Sequence, residues 1–195
     1  LRLQSQGGRV GIGQPFPLAK LHITNGSLLL STPGVANTTA PNIGVLPAGN
    51  HFYWSHTKNA FVGGLYDQDI NSDNLALHSF AYGYNVLATG QESVAMGYNT
   101  TASGITSVAF GEHTTASGTN ATAIGLATTA SGINATAMGG LTTASGSYTT
   151  SMGFYSTASG NTSTAIGRYS KAIGYASTVM GDSSVALGNF SFAAG

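Results

Sequence analysis

Oxygen-bearing side chains recur at alternate positions in one short acidic segment, at Asp67, Asp69, Asn71 and Asp73. This spacing is typical of calcium-binding loops, in which carboxylate and amide oxygens coordinate the ion. Ser72 stands where such a loop needs glycine for its sharp turn, and His78 stands where it carries a bidentate glutamate. We expect a solvated turn and no metal here, and keep a calcium site at these four residues as the alternative.

Aromatic side chains concentrate in the segment 51–55, which holds the only tryptophan of the chain. An aromatic ring can anchor an interface or offer a platform to a glycan. Tyr53 and Trp54 are therefore candidate ligand-binding residues. The alternative, which we favour, is that these rings close one end of a core.

No combination of residues in the sequence suggests catalysis. The chain has no cysteine, so it has no thiolate nucleophile, no thiolate zinc site and no disulfide. Its Gly11-Ile12-Gly13 stretch lacks the third glycine of a dinucleotide-binding loop and the helix that should follow it. We expect no enzymatic activity and no cofactor.

Charge is scarce in this chain. Six basic and six acidic residues make up 6 % of it and cancel to a net charge of zero, whereas about 25 % is usual in soluble proteins. Both phosphate neutralisation and a polybasic lipid contact require several Lys or Arg residues. We expect no nucleic-acid partner and no membrane contact. The chain starts with neither Met nor a signal peptide, so we expect a fragment of a longer protein.

The elements that position these residues follow from a repeat. A glycine falls on every seventh residue from Gly83 to Gly195 without a gap, and the residue two before it is Ala at 15 of 17 positions. The residue just before the glycine alternates between a large apolar type, such as Met96, and serine, such as Ser103. The repeating unit is therefore fourteen residues long and consists of two similar halves.

This unit predicts an all-β fold. A helical coiled coil also repeats every seven residues, but each glycine would cost it about 1 kcal/mol relative to Ala. Strands of about five residues, each ended by a glycine turn, fit the pattern. Each unit is then one two-stranded coil of a parallel β-solenoid, and neighbouring coils stack about 4.8 Å apart.

The alternation of strand side chains predicts which residues face outward. The Ala column shares its face with a column of Ser, Thr and Ala, so the interior should be narrow and the large residues should point out. An exposed apolar stripe is not tolerable on a soluble monomer, and its burial is worth roughly 10–20 kcal/mol per chain. We expect a closed cyclic oligomer. Its core would be formed by Val94, Met96, Val108, Phe110, Ile124, Met138, Met152, Ile166 and Met180. The alternative is a monomer with these residues inside and Ala outside.

The outward face of the other half is polar and should meet solvent. It carries a ladder of Thr and Ser that starts at Thr101 and Ser103, continues at Thr115 and Ser117, and breaks at Lys171. These first four residues are candidate ligand-binding residues. Because a regular hydroxyl array can order water, an ice-binding solenoid is a minor alternative.

Several asparagines begin Asn-x-Ser/Thr triplets, among them Asn99, Asn120, Asn134, Asn161 and Asn189. Such triplets can accept a glycan in a suitable host. In a Thr-rich chain with Asn in its turns they also arise from composition. We favour the turn interpretation.

The motif Ser93-Val94-Ala95-Met96-Gly97, followed by Thr101-Ala102-Ser103-Gly104, is repeated about eight times over residues 80–195. It closely resembles the head of trimeric autotransporter adhesins, the YadA-like heads. This resemblance implies a left-handed parallel β-roll in each subunit and a homotrimer whose apolar stripes meet on the axis. It also implies an extracellular attachment role on a bacterial surface, with a matrix protein or a glycan as the ligand.

The N-terminal part resembles a different element. Gly8–Gly13 and Pro17–Ile23 look like the VGIG and AKLH segments of long bacterial surface proteins and of fibres of phages and contractile injection systems. Asn25-Gly26 predicts a β-hairpin between its flanking apolar residues. We expect three segments: an N-terminal β hairpin or prism segment at 1–33, a lead-in with the aromatic cluster at 34–79, and the roll at 80–195. A tail-fibre segment of a phage or injection system is the alternative function.

Overall fold

The computed structural model of the chain describes residues 48–55, 58–71 and 75–195. At residue 71 and at five N-terminal strands it describes the backbone alone. All regular structure in these residues is β. No helix long and apolar enough to cross a bilayer occurs among them.

Strands of two lengths alternate along the repeat. The longer strands are β9 Phe80–Tyr84, β11 Val94–Tyr98, β13 Val108–Glu112, β15 Thr122–Leu126, β17 Thr136–Gly140, β19 Thr150–Phe154, β21 Thr164–Arg168, β23 Thr178–Asp182 and β25 Phe192–Ala194. The two-residue strands between them are β10 Leu87–Ala88, β12 Thr101–Ala102, β14 Thr115–Ala116, β16 Thr129–Ala130, β18 Thr143–Ala144, β20 Thr157–Ala158, β22 Lys171–Ala172 and β24 Val185–Ala186. The strands before the repeat are β1 Arg2–Leu3, β2 Val10–Ile12, β3 Leu21–Ile23, β4 Leu28–Ser31, β5 Val45–Leu46, β6 Gly49–Ser55, β7 Ala60–Tyr66 and β8 Ile70–Asn71.

The long strands and the short strands form two separate sheets. Within each sheet the strands of the repeat run parallel, and a residue lies beside the residue fourteen positions later, as Val94 lies beside Val108 and Thr101 beside Thr115. Backbone hydrogen bonds join successive coils; the Thr101 N–H donates to the Thr114 carbonyl at 2.9 Å. The predicted parallel β-solenoid of fourteen-residue coils is confirmed.

Strands from before the repeat extend the long-strand sheet. β7 pairs in parallel with β9, β6 pairs antiparallel with β7, and β4 pairs antiparallel with β6, which gives this sheet twelve strands. β1, β2 and β3 form a small separate sheet, and β5 pairs with β8. The hairpin β6–β7 is thus continuous with the roll.

The hairpin predicted at Asn25-Gly26 is wrong. β3 pairs with β2, whereas β4 pairs with β6, so the two strands that the turn should join belong to different sheets. The physical reason is that β4 covers the edge of a large sheet, where its backbone pairs with that of β6. The turn itself and most of residues 8–23 lie outside the described part of the chain, and the fibre-like N-terminal element stays a prediction.

The interior of the roll is narrow and made of small side chains. The Ala column, from Ala95 to Ala172, is 0 % exposed wherever it is occupied by Ala. The Ser, Thr and Ala residues two positions earlier, from Ser93 to Ser177, are also buried. The alternation of strand side chains predicted this arrangement, with the large residues outside. An interior filled by Ala, Ser and Thr leaves no volume for Met or Phe.

The glycine lattice has a second cause besides the expected turn. An added Cβ at Gly118 would overlap the carbonyl oxygen of Gly132 in the next coil, although Gly118 has no positive φ. At Gly125, where φ is +127°, a Cβ would overlap the Gly139 carbonyl in the same way. Glycine is therefore required by the close approach of one backbone to the next.

The left-handed residue of each turn lies two positions after the lattice glycine. These residues have φ between 49° and 59° and none of them is glycine; Asn85, Asn99, Asn120 and Asn134 are among them. Asn adopts this conformation more readily than other residues with a Cβ. In one such turn the Ala121 N–H donates to the Gly118 carbonyl at 3.1 Å, with Asn120 in the third position, as in a type II turn. The turn interpretation of the Asn triplets fits these positions.

Candidate functional site

The outward surface of the long-strand sheet is a continuous apolar surface, which we call the apolar face. It is formed by the residues three and one before each lattice glycine in the long strands. All nine residues predicted for the oligomer core occupy these two columns, namely Val94, Met96, Val108, Phe110, Ile124, Met138, Met152, Ile166 and Met180. Met96 and Met180 are exposed in the single chain, and the other seven are half-buried.

Two further properties of the apolar face bear on its role. An open groove of about 500 Å³, lined by Tyr82, Met96 and Phe110 and by two glycines between them, runs along its first coils. From Phe80 to Met180, neither of its two columns contains a charged residue. The face is therefore suited to contact with another apolar surface that carries no charge.

The hairpin β6–β7 divides its aromatic residues between two faces. Tyr53 lies inside, 6 % exposed, in the same buried cluster as Val62 and Ala81. Phe52 and Trp54 point the other way and are 46 % and 44 % exposed. The two candidate ligand residues Tyr53 and Trp54 are thus on opposite sides of one strand, and only Trp54 is accessible.

The hydroxyl ladder lies on the outward surface of the short-strand sheet. Thr101 and Thr115 are half-buried neighbours in register, and Ser103 and Ser117, which follow them, are exposed. This surface is opposite to the apolar face and presents hydroxyl groups at each coil as far as Ser159. It can donate and accept hydrogen bonds without charge.

The acidic segment uses its carboxylates within the chain. Asp69 Oδ1 accepts a hydrogen bond from the Ala48 N–H at 2.9 Å, and Asp67 Oδ2 accepts one from the Tyr84 hydroxyl at 3.4 Å. The negative charge of Asp67 raises the pKa of Tyr84. Among the described residues no three His, Asp or Glu side chains lie together as metal ligands would. Asp73 and the side chain of Asn71 lie outside the described part.

A cavity of about 240 Å³ lies beside this segment, between Asp67, Ile70 and Asn85. Tyr66 forms part of its wall, and burial raises the pKa of this tyrosine. The Asp67 N–H donates to Asn85 Oδ1 at 2.9 Å, which joins the segment to the first turn of the roll. These contacts are those of a structured turn.

The corner between long and short strands carries side-chain pairs that sequence reasoning missed. Tyr84 and Tyr98 stack at 4.8 Å, and Arg168 donates two hydrogen bonds to Asp182, at 3.0 and 2.6 Å. This bonding lowers the pKa of Asp182 and raises that of Arg168. Each pair is separated by fourteen residues, so the repeat length alone would have identified them as neighbours.

Comparison with protein families gives one match over more than half of the chain. The YadA head domain repeat (2 copies) matches residues 88–114, 116–142, 144–170 and 172–195. No curated protein matches the chain. The matched segments are the coils that carry the apolar face and the hydroxyl ladder.

Proposed function

This chain belongs to the YadA head domain family, and from that premise we propose that it forms the head of a trimeric adhesin. In this proposal three copies associate through their apolar faces and attach a bacterial cell to a host or environmental surface. The ligand is a matrix protein or a glycan, bound from outside the cell. The head binds and does not catalyse a reaction.

The observation that supports the proposal most is the combination of a closed Ala interior with an uncharged apolar face. Burying one Met, Ile or Phe side chain is worth about 1.5–3 kcal/mol, and the stripe offers one such residue in each successive coil. In a closed cyclic assembly each residue near the axis meets its own copies. Only uncharged side chains can do this without repulsion, and both columns meet this condition.

The oligomer is tested by light scattering on a size-exclusion column. We expect a mass near three times 19.6 kDa. Met138→Lys should dissociate the assembly, because three ammonium groups would be buried without partners. Ser145→Lys is the matched control, since it adds the same charge to the same coil on the opposite, exposed side. A monomeric wild-type chain, or equal effects of the two substitutions, would contradict the proposed assembly.

The ligand surface in this proposal is the hydroxyl ladder, because it is the broad polar surface that remains when the apolar faces meet. Binding of the purified assembly to immobilised matrix proteins and neutral glycans should weaken in Ser117→Arg, which places a bulky charge on the ladder. Gln91→Arg, at an exposed corner, should leave binding unchanged. Binding that is weakened by Gln91→Arg and unchanged by Ser117→Arg would place the ligand at the corner.

A further inference from the structure

The apolar face does not begin with the repeat. β7 continues the long-strand sheet in register, so Phe61 lies beside Phe80, and β6 places Trp54 beside Phe61. In the adjacent row Phe52, Gly63 and Tyr82 are neighbours. These rows run into the columns of Val94 and Met96. The hairpin therefore adds two strands to the same surface.

The side chains of these rows form a packed aromatic layer. Phe61 stacks on Phe80 at 4.9 Å, and Phe52 meets Phe61 edge-on at 5.0 Å. Gly63 leaves the space that the rings fill, since an added Cβ there would be 2.7 Å from a Tyr82 ring carbon and 3.0 Å from one of Phe61. The layer is ordered within one chain, yet Phe52, Trp54 and Tyr82 stay about half exposed.

We propose that the hairpin β6–β7 forms the first rows of the subunit interface, and that Trp54 is buried there against the same segment of the partner subunits. This inference rests on the proposed trimer. Its support is the continuity of the hairpin with the apolar face and the absence of charge in both rows. Uncharged aromatic rings can meet their own copies around an axis, as the columns of the roll do in the proposed trimer.

Leu65 shows why the interface should include these two rows and not the next one. It lies on β7 and is 42 % exposed, about as much as Trp54. Its row continues through Tyr84 and Tyr98 to Glu112. A row that contains carboxylates, and further along Arg168 and Asp182, is not compatible with a position where identical residues meet.

Trp54 provides the measurement because it is the only tryptophan. We expect its fluorescence in the wild-type assembly to be blue-shifted, and its quenching by iodide to be severalfold weaker than in the dissociated Met138→Lys chain. A trimeric mass with Trp54 as quenchable as in that variant would overturn the inference and leave the proposed trimer intact. A monomeric wild-type mass would overturn both.

A second pair of variants keeps the test independent of Met138→Lys. Phe52→Ser should raise the chain concentration at which the trimer dissociates by at least severalfold, while Leu65→Ser should leave it near the wild-type value. Circular dichroism confirms that both variants retain β-structure. A shift in Phe52→Ser no larger than that in Leu65→Ser would overturn the inference.

Discussion

At the scale of single residues, the hydroxyl groups inside the roll fall into two groups. Those of Ser93, Thr100, Ser107, Thr114, Thr128 and Thr142 are buried and have no hydrogen-bond partner among the described residues. By contrast, the Thr149 hydroxyl donates to the Gly146 carbonyl at 2.7 Å and the Ser177 hydroxyl to the Gly174 carbonyl at 2.8 Å. An unpaired buried hydroxyl costs about 1–3 kcal/mol. Replacing one of these unpaired hydroxyls by an apolar group should therefore raise the free energy of unfolding.

Thr142 and Thr149 give a matched pair for testing this difference. Thr142→Val should raise the free energy of unfolding by about 1 kcal/mol, because a methyl group replaces an unpaired hydroxyl of similar size. Thr149→Val should lower it by about 1 kcal/mol through loss of its hydrogen bond. Urea unfolding at one fixed chain concentration measures both. Changes of the same sign would contradict the explanation.

The sequence predicts that both threonines are interior, since each stands four residues before a lattice glycine. It does not predict which hydroxyl finds a carbonyl. That depends on the side-chain rotamer and on the neighbouring turn, and a position four residues before a glycine does not specify either of them.

At the scale of strands and turns, the glycine lattice sets how closely the coils stack. Gly118 faces the backbone of the following coil, where an added Cβ would overlap the Gly132 carbonyl oxygen. Ser117, directly before it, has an exposed side chain. The two neighbouring positions should therefore differ in their tolerance of substitution by alanine.

Gly118→Ala should destabilise the roll by about 3 kcal/mol, because the overlap is with backbone that has no room to move. Ser117→Ala should change its stability by less than about 1 kcal/mol, since the side chain that it shortens is exposed. Thermal unfolding followed by circular dichroism compares them. A tolerated Gly118→Ala would show that the coils can separate locally without cost.

The period predicts both the strands and the glycine that ends each of them. It does not show that glycine meets two different needs there: Gly125 and its equivalents in the long strands have positive φ, whereas Gly118 has none and is required by close approach. Nor does it predict that Asn120 adopts the left-handed conformation two residues later. The Asn25-Gly26 hairpin failed because pairing of β4 with a distant strand overrides a local turn signal.

At the scale of the whole molecule, stability should be close to a sum over coils and the boundaries between them. The coil formed by residues 122–135 begins with β15 and contains β16. Its removal joins Ala121 to Thr136, which occupies the same place in the repeat as Thr122. Every later residue keeps its face.

Deletion of residues 122–135 should leave a folded, trimeric protein of lower stability. Deletion of residues 122–128 keeps glycine at every seventh position but places two short halves in succession, so every later apolar residue moves to the other sheet. We expect that variant to lose the trimer and most β-structure. Light scattering and circular dichroism distinguish the two, and equal behaviour would show that the fourteen-residue alternation is not what specifies the sheets.

The overall architecture was predictable because an Ala interior leaves no space for residues such as Met96. The contribution of the hairpin β6–β7 to the apolar face was not predictable. β7 joins β9 across the stretch 67–79, which has no repeat, and no period connects Trp54 to Val94. Only the register of the sheet shows that the lead-in and the roll share one surface.

The scarcity of charge also affects how the head would withstand digestion. Between Lys58 and Arg168 the chain has no Lys or Arg at all, so a trypsin-like protease finds no bond to cut in the first six coils. The two sites that follow are protected by structure. Arg168 is held by Asp182 at the end of β21, and the Lys171 N–H donates to the Ser184 carbonyl within β22. The scarcity of cleavage sites should therefore slow digestion of the folded head by such a protease, without any covalent cross-link.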